Sequence, residues 1–229
     1  MKINILTLYP AMFPSFLGYS LAGKALAEGK YILNIVNIRD FATDKYKSVD
    51  DTPFGGGAGM VMKPDVLDAA IQATYKTGPI YYLSPRGAVF TQKTAHEWAM
   101  TEEMTFLCGR FEGIDERILE KWQIKEISIG DFILSGGEPA LLTMLDAVIR
   151  LLPSVMGNTE SQFEESFENG LLEYPQYTKP QNWQGRIVPD VLVSGHHAKI
   201  KEWRLEQSIA LTKARRPDLW TNYLAQKKN

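Results

Sequence analysis

KEISIGDFILSGGE, residues Lys125 to Glu138, changes character three times within one short stretch. Ile127 and Ile129 alternate with Glu126 and Ser128, the period-two pattern of a strand that ends at Gly130. Asp131, Phe132, Ile133 and Leu134 follow, too apolar for a solvated turn. Ser135-Gly136-Gly137 then lets the backbone bend closely before a helix opens at Glu138 and Pro139. An apolar, glycine-bearing loop at the carboxyl end of a strand suits the adenosyl part of a cofactor. By itself it reads more readily as a buried crossover loop of an α/β sheet, since glycine-rich strand-to-helix turns are common there.

The chain on either side favours the sheet. Ile3, Ile5, Leu6 and Leu8 form a strand that stops at Pro10, helical spacing runs from Phe16 to Lys24, and Tyr31 to Ile38 alternates again. Pro64 and Asp65 open a helix striped by Val66, Leu67, Ala70 and Ile71. Ile80 to Leu83 is a strand that breaks at Ser84-Pro85-Arg86-Gly87. Thr91 to Met100 is helical, Met104 to Cys108 a strand, Glu116 to Trp122 a helix, and Pro139 to Leu152 a long apolar helix. Strands alternating with helices predict an α/β domain with a parallel sheet. Three successive strands end in glycine-containing loops, at 83–87, 108–115 and 129–137. In such sheets ligands collect outside the carboxyl ends of the strands, so the three loops together raise the cofactor reading above the crossover reading.

Between Arg39 and Met62 lies a long polar loop with GGGAG at 55–59. No Gly-Lys-Ser/Thr follows, and Met60 at position 60 breaks the dinucleotide pattern, which disfavours a phosphate loop. A flexible turn and a loop that closes over a ligand or nucleic acid both remain. From Pro153 to Gly170 periodicity fails in an acidic segment read as a linker. The expected organisation is a domain over 1–154, a linker over 155–170 and a small helical domain over 171–229. In the last of these a helix from about Ala198 to Ala214 would pack Ile200, Trp203, Ala210 and Ala214 and leave Lys201, Arg204 and Lys213 in solvent.

The net charge of −2 predicts no global attraction to polyanions, but residues 179–229 carry ten basic against four acidic side chains, a local +6. With Arg215-Arg216, Lys199 and His196-His197, this region suits phosphate contact. The single Cys108 excludes an internal disulfide and fits a reducing compartment. The N-terminal KINILTLYP is too short for a signal segment, and no apolar run reaches the roughly 20 residues that span a bilayer. A cytoplasmic protein with no membrane association is expected. Three histidines and one cysteine make no metal motif, no GxSxG is present, and Cys108 on an apolar strand reads as a buried small hydrophobe. Magnesium held loosely by carboxylates and phosphates stays open. Carboxylates and arginines beside glycine loops suit acid/base work and charge stabilisation.

VDDTPFGGGAGM at 49–60, YLSPRG at 82–87, CGRFEGIDER at 108–117, SIGDFILSGGE at 128–138, SFENGLLEYPQYTKP at 166–180 and LVSGHHAKIKEWR at 192–204 together resemble the bacterial tRNA (guanine-N1)-methyltransferase family. The resemblance runs in order through nearly the whole chain. It implies a SPOUT-class domain with a trefoil knot at an S-adenosylmethionine pocket, methyl transfer to guanosine 37 of tRNA, and a homodimer whose active site joins two subunits. Carried over by position, it implies cofactor contacts at Tyr82, Leu83, Ser84, Pro85, Gly109, Ile129, Gly130, Asp131, Phe132, Ile133 and Leu134. It implies catalytic roles for Arg150 and Glu165, and tRNA contacts at Asp50, Gly59, Arg110 and Glu112, joined by Arg215 and Arg216. Two departures stand out. The family's linker aspartate is Glu165, and a histidine often found after the following proline is Gln176. Competing readings are a SPOUT enzyme for another RNA position, a non-catalytic RNA-binding protein, and a dinucleotide oxidoreductase. The last is disfavoured by the lack of GxGxxG after the first strand.

Overall fold

The computed structural model describes residues 1–156 and 164–227. The middle of the expected linker, 157–163, therefore lies outside the described residues. The chain forms two compact units, Met1–Gly157 and Asn158–Asn229.

In the first unit the elements follow as β1 (Lys2–Thr7), α1 (Ser20–Ala27), β2 (Ile32–Asn37), β3 (Asp50–Asp51), β4 (Val61–Met62), α2 (Pro64–Thr74), β5 (Ile80–Val89), α3 (Gln92–Ala99), β6 (Glu103–Leu107), α4 (Glu116–Trp122), β7 (Lys125–Ser128) and α5 (Gly137–Ile149). Five strands form one sheet in the order β2-β1-β6-β5-β7, every pairing parallel. The short β3 and β4 pair antiparallel at the base of the 50–62 loop. Both faces of the sheet are covered, as parallel sheets require. Ile3, Ile5, Met104 and Phe106 point into one core with α5, while Leu6 and Leu107 point into the other with Val66, Leu67 and Ile71 of α2. Alternation along a single strand thus feeds two cores. Truncating a residue such as Ile5 or Leu67, both without exposed surface, should cost roughly 2–5 kcal/mol. Cys108 is buried, and burial pushes its thiol well above the ordinary range, so it packs as a hydrophobe rather than acting as a nucleophile.

The strand expected to break at Ser84 instead runs on to Val89. Its pairing with β7 covers Tyr81 to Leu83, slips, and resumes at Ala88 and Val89. The intervening Ser84–Gly87 form a bulge that Pro85, lacking an N–H, can occupy without loss of a ladder bond. Gly87 is required there because a side chain would strike the backbone of Glu126 and Ile127.

The second unit contains a hairpin, β8 (Asn182–Trp183) with β9 (Arg186–Ile187), a short α6 (Asp190–Val193), α7 (His197–Arg215) and α8 (Pro217–Gln226). Gln184 and Gly185 both take positive φ, 53° and 81°, as a two-residue hairpin turn demands. The buried stripe of α7 differs from the expected one. Ser208 and Thr212 are buried, with Ile200, Trp203, Arg204 and Leu211 half-buried beside them, whereas Ala210 and Ala214 are exposed. Polar anchoring decides the face: Thr212 Oγ1 accepts from the Leu172 N–H at 2.8 Å and donates to the Ser208 carbonyl at 2.7 Å.

Candidate active site

The loops after β6 and β7 and the bulge of β5 enclose a cavity of about 360 Å³. Of the residues expected to touch a cofactor, Tyr82 to Pro85, Gly109, Ile129, Gly130 and Phe132 to Leu134 line it. Asp131 does not. It is exposed and absent from the lining, whereas its apolar neighbours Phe132, Ile133 and Leu134 line the cavity while remaining partly open to solvent. Arg86, Phe111, Gly113, Ile114 and Ser135 to Gly137 also line it, all within the three glycine-containing loops that the sequence marks for the cofactor, though not among the residues expected individually as contacts.

Each wall is shaped by close approach. A side chain at Gly109 would run into the Tyr82 ring, 2.5 Å from Cε2. Gly130 takes φ +141°, a conformation open to glycine, and Ser128 Oγ accepts its N–H at 3.1 Å. Gly137 donates to the Gly109 carbonyl at 3.1 Å, and a Cβ there would meet the Cys108 backbone, so the start of α5 passes directly beneath the β6 loop. Tyr82 is nearly buried, and loss of solvent pushes its phenol up to about 12. Arg86 bridges Glu126 and Glu116, both at 3.0 Å, and ties the bulge to β7 and α4.

The 50–62 loop is docked beside this cavity. Met62 donates to the Gly113 carbonyl and Glu112 to the Met60 carbonyl, each at 2.9 Å. Gly59 abuts the Glu112 side chain so closely that any side chain on it would collide, while Gly55, Gly56 and Gly57 face open space with positive φ. Asp50 pairs with Met62 at the foot of the loop. Arg110 and Glu112 thus line the cavity, Gly59 lies against Glu112, and Asp50 sits at the foot of the same loop. Arg110 itself turns inward, its Nη1 on the Ser135 carbonyl at 2.9 Å and its guanidinium 4.4 Å from the Tyr9 ring centre.

Arg150 sits at the C-terminal cap of α5 in the first unit, half-buried. Glu165 belongs to the second unit, in a segment fixed by turns: Glu168 donates to its carbonyl at 3.4 Å, Glu173 donates to Ser166 Oγ at 2.9 Å, and Phe167 donates to the Leu171 carbonyl at 2.8 Å. The neighbouring Glu164 Oε2 accepts from the Tyr174 hydroxyl at 2.6 Å and from Arg204 at 3.1 Å. Arg215 is exposed at the end of α7, while Arg216 makes a two-pronged pair with Asp218 at 3.0 and 2.7 Å. Among the described residues no three His, Cys, Asp or Glu side chains gather as a metal site, and no helix is long and apolar enough to cross a membrane.

The family model for the tRNA (Guanine-1)-methyltransferase TrmD matches residues 1–222. Proteins named tRNA (guanine-N(1)-)-methyltransferase are 57% identical to the chain in Rhodospirillum rubrum, over 98% of this chain and 95% of the relative, and in Agrobacterium fabrum, over 99% of each. The Brucella ovis protein of the same name is also 57% identical, over 96% of this chain and 91% of its own length. The chain thus belongs to the tRNA (guanine-1)-methyltransferase TrmD family.

Proposed function

We infer that the protein transfers a methyl group to N1 of guanosine 37 in tRNA, using S-adenosyl-L-methionine. The observation that carries this reading is the cavity at the carboxyl ends of β5, β6 and β7. Its volume lies within the roughly 300–1,000 Å³ of small-ligand sites, and its apolar walls and close glycines match a flat adenosyl group. Held by the loops at 82–85, 109 and 129–134, the cofactor would supply a methyl group made electrophilic by its sulfonium.

The guanine N1 carries a proton, and its lone pair becomes available when a base removes that proton. Glu165 is the proposed base, and Arg150 offsets negative charge that builds on O6. The target base must leave its stack to reach a methyl group inside the cavity, and the Asp50–Met62 loop would hold it there, a role supported by its backbone bonds to Glu112 and Gly113 of the cavity wall. Residues 1–154 would form the methyltransferase domain and 171–229 the tRNA-binding domain, with Arg215 among the phosphate contacts. A homodimer that joins Arg150 of one subunit to Glu165 of another, a knotted path near Gly136 and Gly137, and a cytoplasmic location complete the reading. The tight passage of Gly137 under Gly109 supports the knotted path.

Titration of the protein with S-adenosylhomocysteine tests the cofactor half of this function. Micromolar binding is expected, and no heat of binding with S-adenosylhomocysteine but a clear one with NAD would replace it with the oxidoreductase reading.

A further inference from the structure

Glu138 has no exposed surface, yet it is a carboxylate in the first turn of a mostly apolar helix. Its Oε1 accepts from Thr7 Oγ1 at 2.7 Å, and Thr7 Oγ1 in turn accepts the Tyr9 N–H at 2.9 Å. Its Oε2 lies 2.8 Å from Arg110 Nη2. The approach is close but off the hydrogen-bond direction, since both Glu138 Oε2 and Arg110 Nε remain without hydrogen-bond partners. Nε is tucked against Gly136, where any side chain would collide with the guanidinium.

A buried pair with two unsatisfied atoms is a poor stabiliser, because desolvation of both charges offsets their attraction. What the pair does is join three pieces of chain. Thr7 ends β1 and Tyr9 follows it, Arg110 follows β6, and Ser135, which accepts from Arg110 Nη1 at 2.9 Å, closes the loop after β7. That last loop is the cavity wall with least packing of its own: Phe132, Ile133 and Leu134 are 51%, 79% and 39% exposed. The Arg110 fork is thus a tether from the rigid sheet to the wall.

We propose that Glu138 is a positioning residue for the cofactor, acting through Arg110 to hold the Phe132–Ser135 wall in the shape that receives the adenosyl group. This rests on the reading of the cavity as the cofactor site. It also makes Arg110 part of the pocket frame rather than a phosphate contact, since Glu138 neutralises its charge.

Two variants of the full chain test the proposal. Glu138→Gln keeps the shape and removes the charge. The double change Arg110→Met with Glu138→Gln removes both charges, so that no unpaired charge is left buried and folding is preserved if the single change compromises it. Calorimetric titration with S-adenosylhomocysteine should show at least a tenfold weaker Kd in each folded variant. The log–log salt slope of tRNA binding should stay at the wild-type value. A purely structural role would lower the melting temperature and leave Kd in place. A loss of affinity smaller than tenfold in the folded double variant overturns the proposal, as does a slope flattened by about one unit. Wild-type protein that fails to bind S-adenosylhomocysteine overturns the cavity assignment and the proposal with it.

Discussion

Arg204 reaches from α7 to Glu164, Nη1 to Oε2 at 3.1 Å, with its guanidinium 4.6 Å from the Tyr174 ring centre, and so pins the residue directly before Glu165. Tyr174 donates to the same oxygen, and burial together with that hydrogen bond raises its own phenol above the usual range. Glu164 is thereby engaged in internal bonds within the second unit.

Glu165→Gln should lower single-turnover methyl transfer roughly a hundredfold or more, the scale of a lost general base, with S-adenosylhomocysteine affinity unchanged. Glu164→Gln breaks a partly exposed pair of small energetic weight and should cost less than tenfold. Glu165→Asp should keep most of the activity, because an irregular segment can absorb the loss of one methylene. Rapid-quench kinetics on the three variants decides. A near wild-type rate for Glu165→Gln with collapse of Glu164→Gln would move the base by one position.

The glycines of the cavity give a second test. Gly130→Val must adopt φ near +141° and meets the Phe132 ring, and Gly109→Val drives its side chain into Tyr82. Both should abolish the thermal stabilisation that S-adenosylhomocysteine gives the wild type. Folded variants with the full shift would show that the ligand lies elsewhere.

Salt dependence reports on the basic C-terminal unit. Arg215 is exposed, whereas Arg216 is already held by Asp218, which lowers its capacity to meet a phosphate. Arg215→Ala should flatten the log–log slope of tRNA binding by about one unit and Arg216→Ala by less. Equal effects would mean that Asp218 releases Arg216 on binding.

Alkaline pH should destabilise the fold in a defined window. Burial pushes the phenols of Tyr31 and Tyr82 up to about 12, so between about pH 10 and 12 the unfolded chain loses protons that the folded chain keeps. Stability is therefore intact below pH 10 and falls through the window, by on the order of 2 kcal/mol for each residue. Urea melts of the wild type and of Tyr31→Phe check this. The variant should show a shallower loss, and an identical pH profile would remove Tyr31 from the account.

The alternation of Ile3, Ile5 and Leu6 and the glycines at 109, 130 and 137 were readable because each reflects a local requirement, a pleat or a close approach. The run of β5 through Pro85 was not, since a proline and a glycine in sequence mean a break, and only the neighbouring β7 turns them into a bulge. The buried face of α7 was misassigned for a similar reason: Thr212 is buried through its bond to Leu172, a partner that helical periodicity does not reveal. Glu138 has a legible signal, a carboxylate at the start of a mostly apolar helix, but its partner Arg110 lies distant in sequence, and the family resemblance implies a tRNA contact there. Tyr174 and Arg204 meet Glu164 only in three dimensions.

Methylation of an unmodified tRNA transcript carrying G36-G37, followed by nucleoside analysis, tests the central claim most directly. The account predicts stoichiometric 1-methylguanosine at position 37 with S-adenosylmethionine as donor, and no transfer to a transcript in which G37 is replaced by A. Equal methylation of both transcripts, or none of either by protein that binds S-adenosylhomocysteine, would contradict it.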